Sequence, residues 1–371
     1  MTNNPMNDEL NKAKADLIEK MTVEHVPEEP ADEVPLIPGA WGVGQVWNKA
    51  LLTRGERERV PRDYIYASEL GKPLVDIWLN LRATPYTNVP NARSLRKFEA
   101  GNIFEWIIQL ILVRAGILVA SQERVEHQYP GMIRVSGRLD FIGGGHPDFE
   151  KARTELEGLM LPDVFMRAGR DIIAYIEEMY PNGLENKVIE VKSAGAFMFE
   201  KHLKSKKGGE NHRKQTMHYL VGKNLATGEL LYVCRDDLRL MEVPISNPGP
   251  VLDEYKAEIA RITEAMKSET QPAIEPLIVF SEDEGRFSKN WGVEYSQYLT
   301  MLYGFERPDQ YVDQVAPVAA RFNRVMGRLK KGDKMTPKNL EALEEMKSYG
   351  FDPDAIVAKF DASDEEEGAD A

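Results

Sequence analysis

The 371-residue sequence contains one cysteine, Cys234. A single thiol excludes an intrachain disulfide, a cysteine-ligated iron-sulfur cluster and a cysteine-rich zinc module. Within LLYVC (230–234) it reads as a small buried apolar side chain. Long apolar runs are also missing. None reaches the ~18 residues of a membrane span, and the opening MTNNPMNDEL lacks the basic-then-apolar order of a secretory leader. The expectation is a cytoplasmic protein without a membrane partner. No GxxxxGK[ST] occurs, and GAWGVGQ (39–45) has neither the lysine nor the strand-to-helix setting of a phosphate cradle, so no nucleotide cofactor is expected. Any helicase motor must then be a separate polypeptide. The six histidines show no metal-ligand spacing of the HExxH kind.

The net charge of -13 argues against a nucleic-acid partner until it is located along the chain. Residues 1–36 hold nine acids against three lysines, and 361–371 hold six acids and no base. The body between is near neutral, and within it 192–223 carries eight Lys or Arg against two acids. A basic segment therefore sits in a neutral body, which suits contact with phosphates.

Four regions follow. Residues 1–36 read as a mobile acidic arm and 357–371 as an acidic disordered tail. The folded part divides near ISNPGP (245–250), giving a core over 37–245 and a helical C-terminal region over 246–356. In the core, 93–115 reads as a helix closed by Gly116; nine of eleven residues from Ile103 to Val113 are apolar, so burial nearly all round is expected, with Glu105 inside it. IRVSGRLDFIGGG (133–145) reads as one strand, 146–186 as a helical insertion, and KVIEVKSA (187–194) as a strand with Val188, Glu190 and Lys192 on one face. HRKQTMHYLV (212–221) has helical spacing and puts Gln215 and Tyr219 on one side.

Two carboxylates and an ammonium on half-buried strands are costly unless paired or bound to metal. If their two strands are neighbours, Asp140 and Glu190 would both reach one hard divalent cation, Mg2+ or Mn2+. Lys192 would then hold the attacking water and offset charge on a phosphate. Glu105 is a further buried charge in need of a partner, which makes it a candidate catalytic and metal-site residue, the metal or a metal-bound water supplying the partner; the alternative is a carboxylate that reaches the helix end or pairs with a nearby Arg. The run KHLKSKKGGENHRK, with Lys204, Lys206, Lys207, Arg213 and Lys214, suits backbone contact with DNA. Taken alone, D…ExK is a short and common pattern, compatible with an ordinary Glu190–Lys192 pair and a solvated Asp140.

The ordered set GNIFE (101–105), SGRLD (136–140), IEVKS (189–193) and QTMHY (215–219) resembles the four motifs of PD-(D/E)XK nucleases of the RecB-type exonuclease branch, which includes CRISPR-associated exonucleases and many phage nucleases. YIYASELG (64–71) is similar to the segment before the first motif. The resemblance covers about 37–245 and implies an α/β, restriction-endonuclease-like core, a central mixed sheet flanked by helices. It implies metal ligation by Asp140, Glu190 and the main-chain carbonyl of Val191, Lys192 as catalytic lysine, and Gln215 and Tyr219 as the QxxxY pair that helps bind and position DNA. Glu105 stands where many members have histidine, which favours Mg2+ over manganese. NWGVEYSQY (290–298) is similar to a cluster-binding segment of some relatives, but Val293 and Ser296 stand in the cysteine positions, so no iron-sulfur cluster is expected.

The leading expectation is a metal-dependent DNA nuclease, of exonuclease type, with a separate helicase, single-strand-binding or annealing protein as partner. The rival is a nucleic-acid-binding or assembly protein that keeps the fold without catalysis; against it stands the retention of Asp140, Glu190 and Lys192 together. A hydrolase of another phosphoester would have no use for so long a basic segment.

Overall fold

The computed structural model describes residues 42–53, 59–158, 162–281 and 285–358. The expected arm over 1–36 and the tail from 359 onward lie outside the described residues. The chain forms two compact units: one reaches to Thr270, and the other takes Gln271 onward together with Pro73–Asp76 and Pro85–Val89.

In chain order the first unit contains α1 (Val43–Thr53), β1 (Tyr64–Tyr66), most of α2 (Leu74–Leu81), α3 (Ala92–Arg114), β2 (Leu118–Ser121), β3 (Arg124–His127), β4 (Arg134–Arg138) and β5 (Phe141–Gly145). Then follow α4 (Phe149–Gly158), α5 (Asp163–Met179), β6 (Leu184–Ala194), α6 (Ala196–Ser205), α7 (Glu210–Lys223), β7 (Thr227–Cys234), β8 (Leu240–Ser246) and α8 (Pro250–Lys267). The fold is mixed α/β. Five strands form the central sheet in the order β2-β5-β6-β7-β8, with β6 and β7 parallel and the other neighbours antiparallel. A smaller sheet has the order β1-β4-β3. Alternation explains the layering: Ile189 and Val191 of β6 and Leu231 and Val233 of β7 pack with Phe141 and with Leu112 of α3. Burying each such side chain contributes about 1.5–3 kcal/mol relative to exposure. Cys234 is buried and free.

Three sequence expectations are corrected here. The strand expected over 133–145 is broken: β4 and β5 belong to different sheets, with Leu139 and Asp140 between them. The break is held from outside, since Leu139 N–H donates to Glu123 O and Gln122 N–H donates to Asp140 O, each at 3.0 Å. Second, α3 is not buried all round. Asn91 caps it by accepting from Ser94 N–H, yet Trp106 is 63% exposed, and Ile103, Ile107, Leu110, Ile111 and Val113 stand exposed beside it among the described residues. Third, the boundary expected near 245 falls after Thr270, because α8 packs on α7. Tyr255 of α8 bonds the His218 ring through its hydroxyl at 2.9 Å, and Glu258 accepts from Gly71 N–H.

The second unit pairs β9 (Ile278–Ser281) with β10 (Arg286–Lys289) and adds α9 (Trp291–Glu294), α10 (Leu299–Tyr303), α11 (Pro308–Lys330) and α12 (Pro337–Ser348). Its core gathers Phe287, Tyr311, Val315, Phe322 and Met346. Val293 lies within that core, and the Ser296 hydroxyl donates to Asp76 Oδ1 at 3.0 Å. Apolar packing and a hydrogen bond thus occupy the two positions where the resemblance looked for cysteines. Among the described residues no helix is long and apolar enough to cross a membrane.

Candidate active site

The register of the central sheet brings the two carboxylates together. Phe141 pairs with Ile189 across antiparallel β5 and β6, so Asp140, one residue earlier, comes level with Glu190. Val191 N–H donates to Asp140 Oδ2 at 2.8 Å. A strand residue points its N–H and C=O to the same neighbour, so the Val191 carbonyl faces the same edge. Lys192, two residues beyond Glu190 on the same face, donates from Nζ to Glu190 Oε1 at 2.6 Å. Asp140 is 7% exposed and Glu190 is 1% exposed. Oε2 of Glu190 is a buried oxygen without a hydrogen-bond donor, which is expensive for an ionised carboxylate.

Electrostatics follow from that crowding. Burial, followed by the neighbouring Asp140 and Glu105 charges, outweighs Lys192 and pushes Glu190 up to about 8. Burial also raises Asp140, against the pull of Lys192 and of the Val191 N–H. Glu105 of α3 is pushed up to about 7 by burial and by Asp140. For Lys192, burial alone would lower the amine, but attraction to Glu190 and then Asp140 raises it, so it stays an ammonium. Three carboxyl groups crowd one ammonium, and burial with mutual repulsion opposes their ionising together.

These donors suit a hard divalent cation: two carboxylates, one with an unpartnered oxygen, and a carbonyl on the same edge. Among the described residues no three His, Cys, Asp or Glu side chains converge as a ligand set. Glu105 therefore stands in the electrostatic shell of the pair, and any further ligands would be main-chain oxygen or water.

Gln122 is a participant the sequence reading missed. It sits between β2 and β3 at φ +53, and its amide lies beside both Glu105 and Asp140, favouring their charged forms. Nothing local marks it, because glutamine is not a habitual left-handed residue.

The residues expected to meet DNA divide into two sets. Lys204, in the last turn of α6, and Lys206 and Lys207, on the turn between α6 and α7, are exposed. Tyr219 is 1% exposed: its hydroxyl donates to Arg138 O at 2.9 Å and accepts from Gln215 Nε2 at 3.1 Å. Gln215 and Tyr219 thus brace the end of β4, two residues before Asp140. Gly137 makes room for this brace, since a Cβ there would lie 2.7 Å from the Tyr219 ring. Lys214 is likewise withdrawn, paired with Glu210 at 2.5 Å and Glu258 at 3.7 Å, and Arg213 pairs with Glu254 at 3.4 Å. The expected DNA contact of Tyr219 and Lys214 is corrected accordingly: Tyr219 is taken up by the end of β4, and Lys214 by Glu258 of α8, on a face that helical spacing left open.

No family model matches the chain, and no curated protein matches it. Among solved structures, the chain is similar to the crystal structure of SSO0001 at 15% identity and a TM-score of 0.42, covering 71% of this chain and 98% of that one. It is similar to LHK-Exo in complex with dAMP at 13% identity and a TM-score of 0.32, covering 61% and 93%. The alkaline exonuclease LHK-Exo from Laribacter hongkongensis matches at 11% identity and a TM-score of 0.29, with the same coverage of 61% and 93%.

Proposed function

We propose that this protein is a metal-dependent deoxyribonuclease of exonuclease type. The observation that carries the reading is Asp140 level with Glu190, an unpartnered Glu190 oxygen, and Lys192 at 2.6 Å from the other oxygen. The resemblance of the four ordered motifs to PD-(D/E)XK nucleases supports it.

Asp140, Glu190 and the Val191 carbonyl would hold Mg2+ or Mn2+, which when bound activates water and offsets charge on the scissile phosphate. The Val191 N–H fixes one Asp140 oxygen and leaves the other to turn toward the site. Lys192 Nζ, kept protonated by its acidic neighbours, donates a hydrogen bond to a non-bridging phosphate oxygen or to the attacking water as negative charge develops. Glu105, close enough to interact electrostatically with Asp140 and Lys192, would take a proton from that water or return one to the leaving oxygen. Gln215 and Tyr219 hold the Arg138 carbonyl and so keep the β4 to β5 turn, with Asp140, in place. The exposed lysines of the α6–α7 turn meet the DNA backbone.

The test is digestion of end-labelled linear and circular DNA with Mg2+, Mn2+ or EDTA. Linear DNA is expected to be degraded from its ends and circular DNA spared. Lys192→Ala is expected to slow cleavage by about 10²–10⁴-fold while still binding metal, and Asp140→Ala to lose both. Absence of cleavage with either metal, or full cleavage by both variants, would reject the reading.

A further inference from the structure

We propose that Tyr232 is a positioning residue: its hydroxyl fastens the lysine-bearing turn and the start of α7 to the strand beside Lys192, so that backbone contact and chemistry are held as one unit. The inference rests on the nuclease reading of the same site.

Strands β6 and β7 run parallel with Lys192 and Tyr232 in register. Neighbours in register project to the same face, about 4.8 Å apart. Tyr232 is 1% exposed, and its hydroxyl makes two bonds: it accepts from Gly209 N–H and pairs with His212 Nδ1, both at 2.8 Å. With Gly209 as donor, the single phenolic proton goes to Nδ1, which makes His212 the neutral tautomer protonated at Nε2. Burial, reinforced by Lys192 and His202, pushes His212 down to about 3 and keeps Nδ1 an acceptor. The His202 ring, in the last turn of α6, lies 4.7 Å from the Tyr232 ring. One phenol thus receives both ends of the turn.

The turn is built around that ring. Lys206 at φ +56 and Gly208 at φ +66 reverse the chain. A Cβ on Gly208 would lie 3.0 Å from the Tyr232 ring, so glycine lets the backbone rest on it. Lys204, Lys206 and Lys207 are then displayed on the outer side, all exposed. Without the hydroxyl, Gly209 N–H and His212 Nδ1 both lose their partner, and the lysines are no longer fixed relative to Lys192.

The experiment measures the affinity of the full-length protein for end-labelled DNA in EDTA from about 50 to 200 mM salt, with steady-state cleavage in Mg2+ alongside. Tyr232→Phe keeps the ring and removes only the hydroxyl. It is expected to weaken binding about 3–10-fold, the equivalent of one or two hydrogen bonds, and to flatten the salt dependence by about two phosphate contacts. KM for DNA should rise by a similar factor while kcat stays within about twofold. His212→Ala, which spares the Gly209 bond, should show a smaller loss in the same direction. Combined with Lys204→Ala, Lys206→Ala and Lys207→Ala, Tyr232→Phe should add less than it does alone, because both act on the same contacts. A merely structural role would lower the melting temperature without moving KM or the salt slope. A folded Tyr232→Phe protein with parental affinity and slope overturns the proposal, as does full additivity with the lysine variants; if Tyr232→Phe fails to fold, His212→Ala decides by the same readout. Unchanged affinity alongside normal cleavage sinks the fastening and leaves the nuclease reading standing. The expected binding losses without any cleavage by the parent protein do the reverse.

Discussion

Glu190 shows what the site asks of single residues. One of its oxygens rests on Lys192 and the other is buried without a donor. Burial, with Asp140 and Glu105 nearby, lifts it to about 8, while an unfolded glutamate titrates near ~4.3. A carboxyl raised on folding binds more protons in the native state than in the unfolded one between those values. Its contribution is fully present below about pH 4 and drains away as pH rises through about 8. Glu105, at about 7, and the raised Asp140 act in the same direction. Lys192 is raised and does not titrate in this window. The expectation in EDTA is a melting temperature that falls by several degrees between about pH 5.5 and 8. Saturating Mg2+ should restore more at the higher pH, because ligands must be deprotonated to bind. Glu190→Gln should flatten both effects. Thermal melts of parent and variant at two pH values, with and without Mg2+, check this; an Mg2+ shift independent of pH would count against a carboxylate cation site.

At the scale of elements, α3 separates what composition implies from what packing delivers. Its run from Ile103 to Val113 reads as a helix buried on all sides, yet Trp106 is 63% exposed while Phe141, beneath the opposite side of α3, is fully buried. Trp106→Ser is therefore expected to change unfolding free energy by no more than about 0.5 kcal/mol, and Phe141→Ala to cost about 3–5 kcal/mol, measured by urea denaturation. A cost above about 2 kcal/mol for Trp106→Ser would mean that this face is covered in solution. Elements that depend on local period were legible: the alternation of β6 places Glu190 and Lys192 together because two-residue periodicity is a property of the strand alone. The break before β5 was not, since it is set by bonds from Gln122 and Glu123. Gln122 itself was hidden because its role comes from a left-handed turn across from α3. The burial of Lys214 and Tyr219 was hidden for a related reason: Glu258 of α8, which holds Lys214, lies some forty residues further along, and Arg138, which holds Tyr219, some eighty residues before it.

At the scale of the whole molecule, the boundary after Thr270 is not a clean cut, because the C-terminal unit borrows two stretches from far upstream. Asp76, 4% exposed, accepts from the Ser296 hydroxyl at 3.0 Å. Thr87 and Asn88 both donate their backbone N–H to Gln297 O at 3.0 Å, and the Asn88 side chain accepts from Thr300 N–H at 2.7 Å. Tyr86 packs edge-on against Tyr298, with ring centroids 5.5 Å apart. Removing 271–371 would strip the Ser296 donor from Asp76 of α2, the Gln297 acceptor from the Thr87 and Asn88 N–H groups, and the Tyr298 ring from Tyr86. Each such polar loss costs about 1–3 kcal/mol, and their sum is comparable with the whole stability of a domain. A chain ending at Thr270 is thus expected to lose its cooperative melt or to aggregate, even though it keeps Asp140, Glu190 and Lys192. Ser296→Ala in the full-length protein should cost about 1–3 kcal/mol and leave the transition cooperative. Circular dichroism melts of the two proteins decide the matter. A shortened chain that melts cooperatively within about 3 °C of the parent, a shift of less than ~1 kcal/mol, would show that the borrowed segments contribute little and that the first unit folds alone.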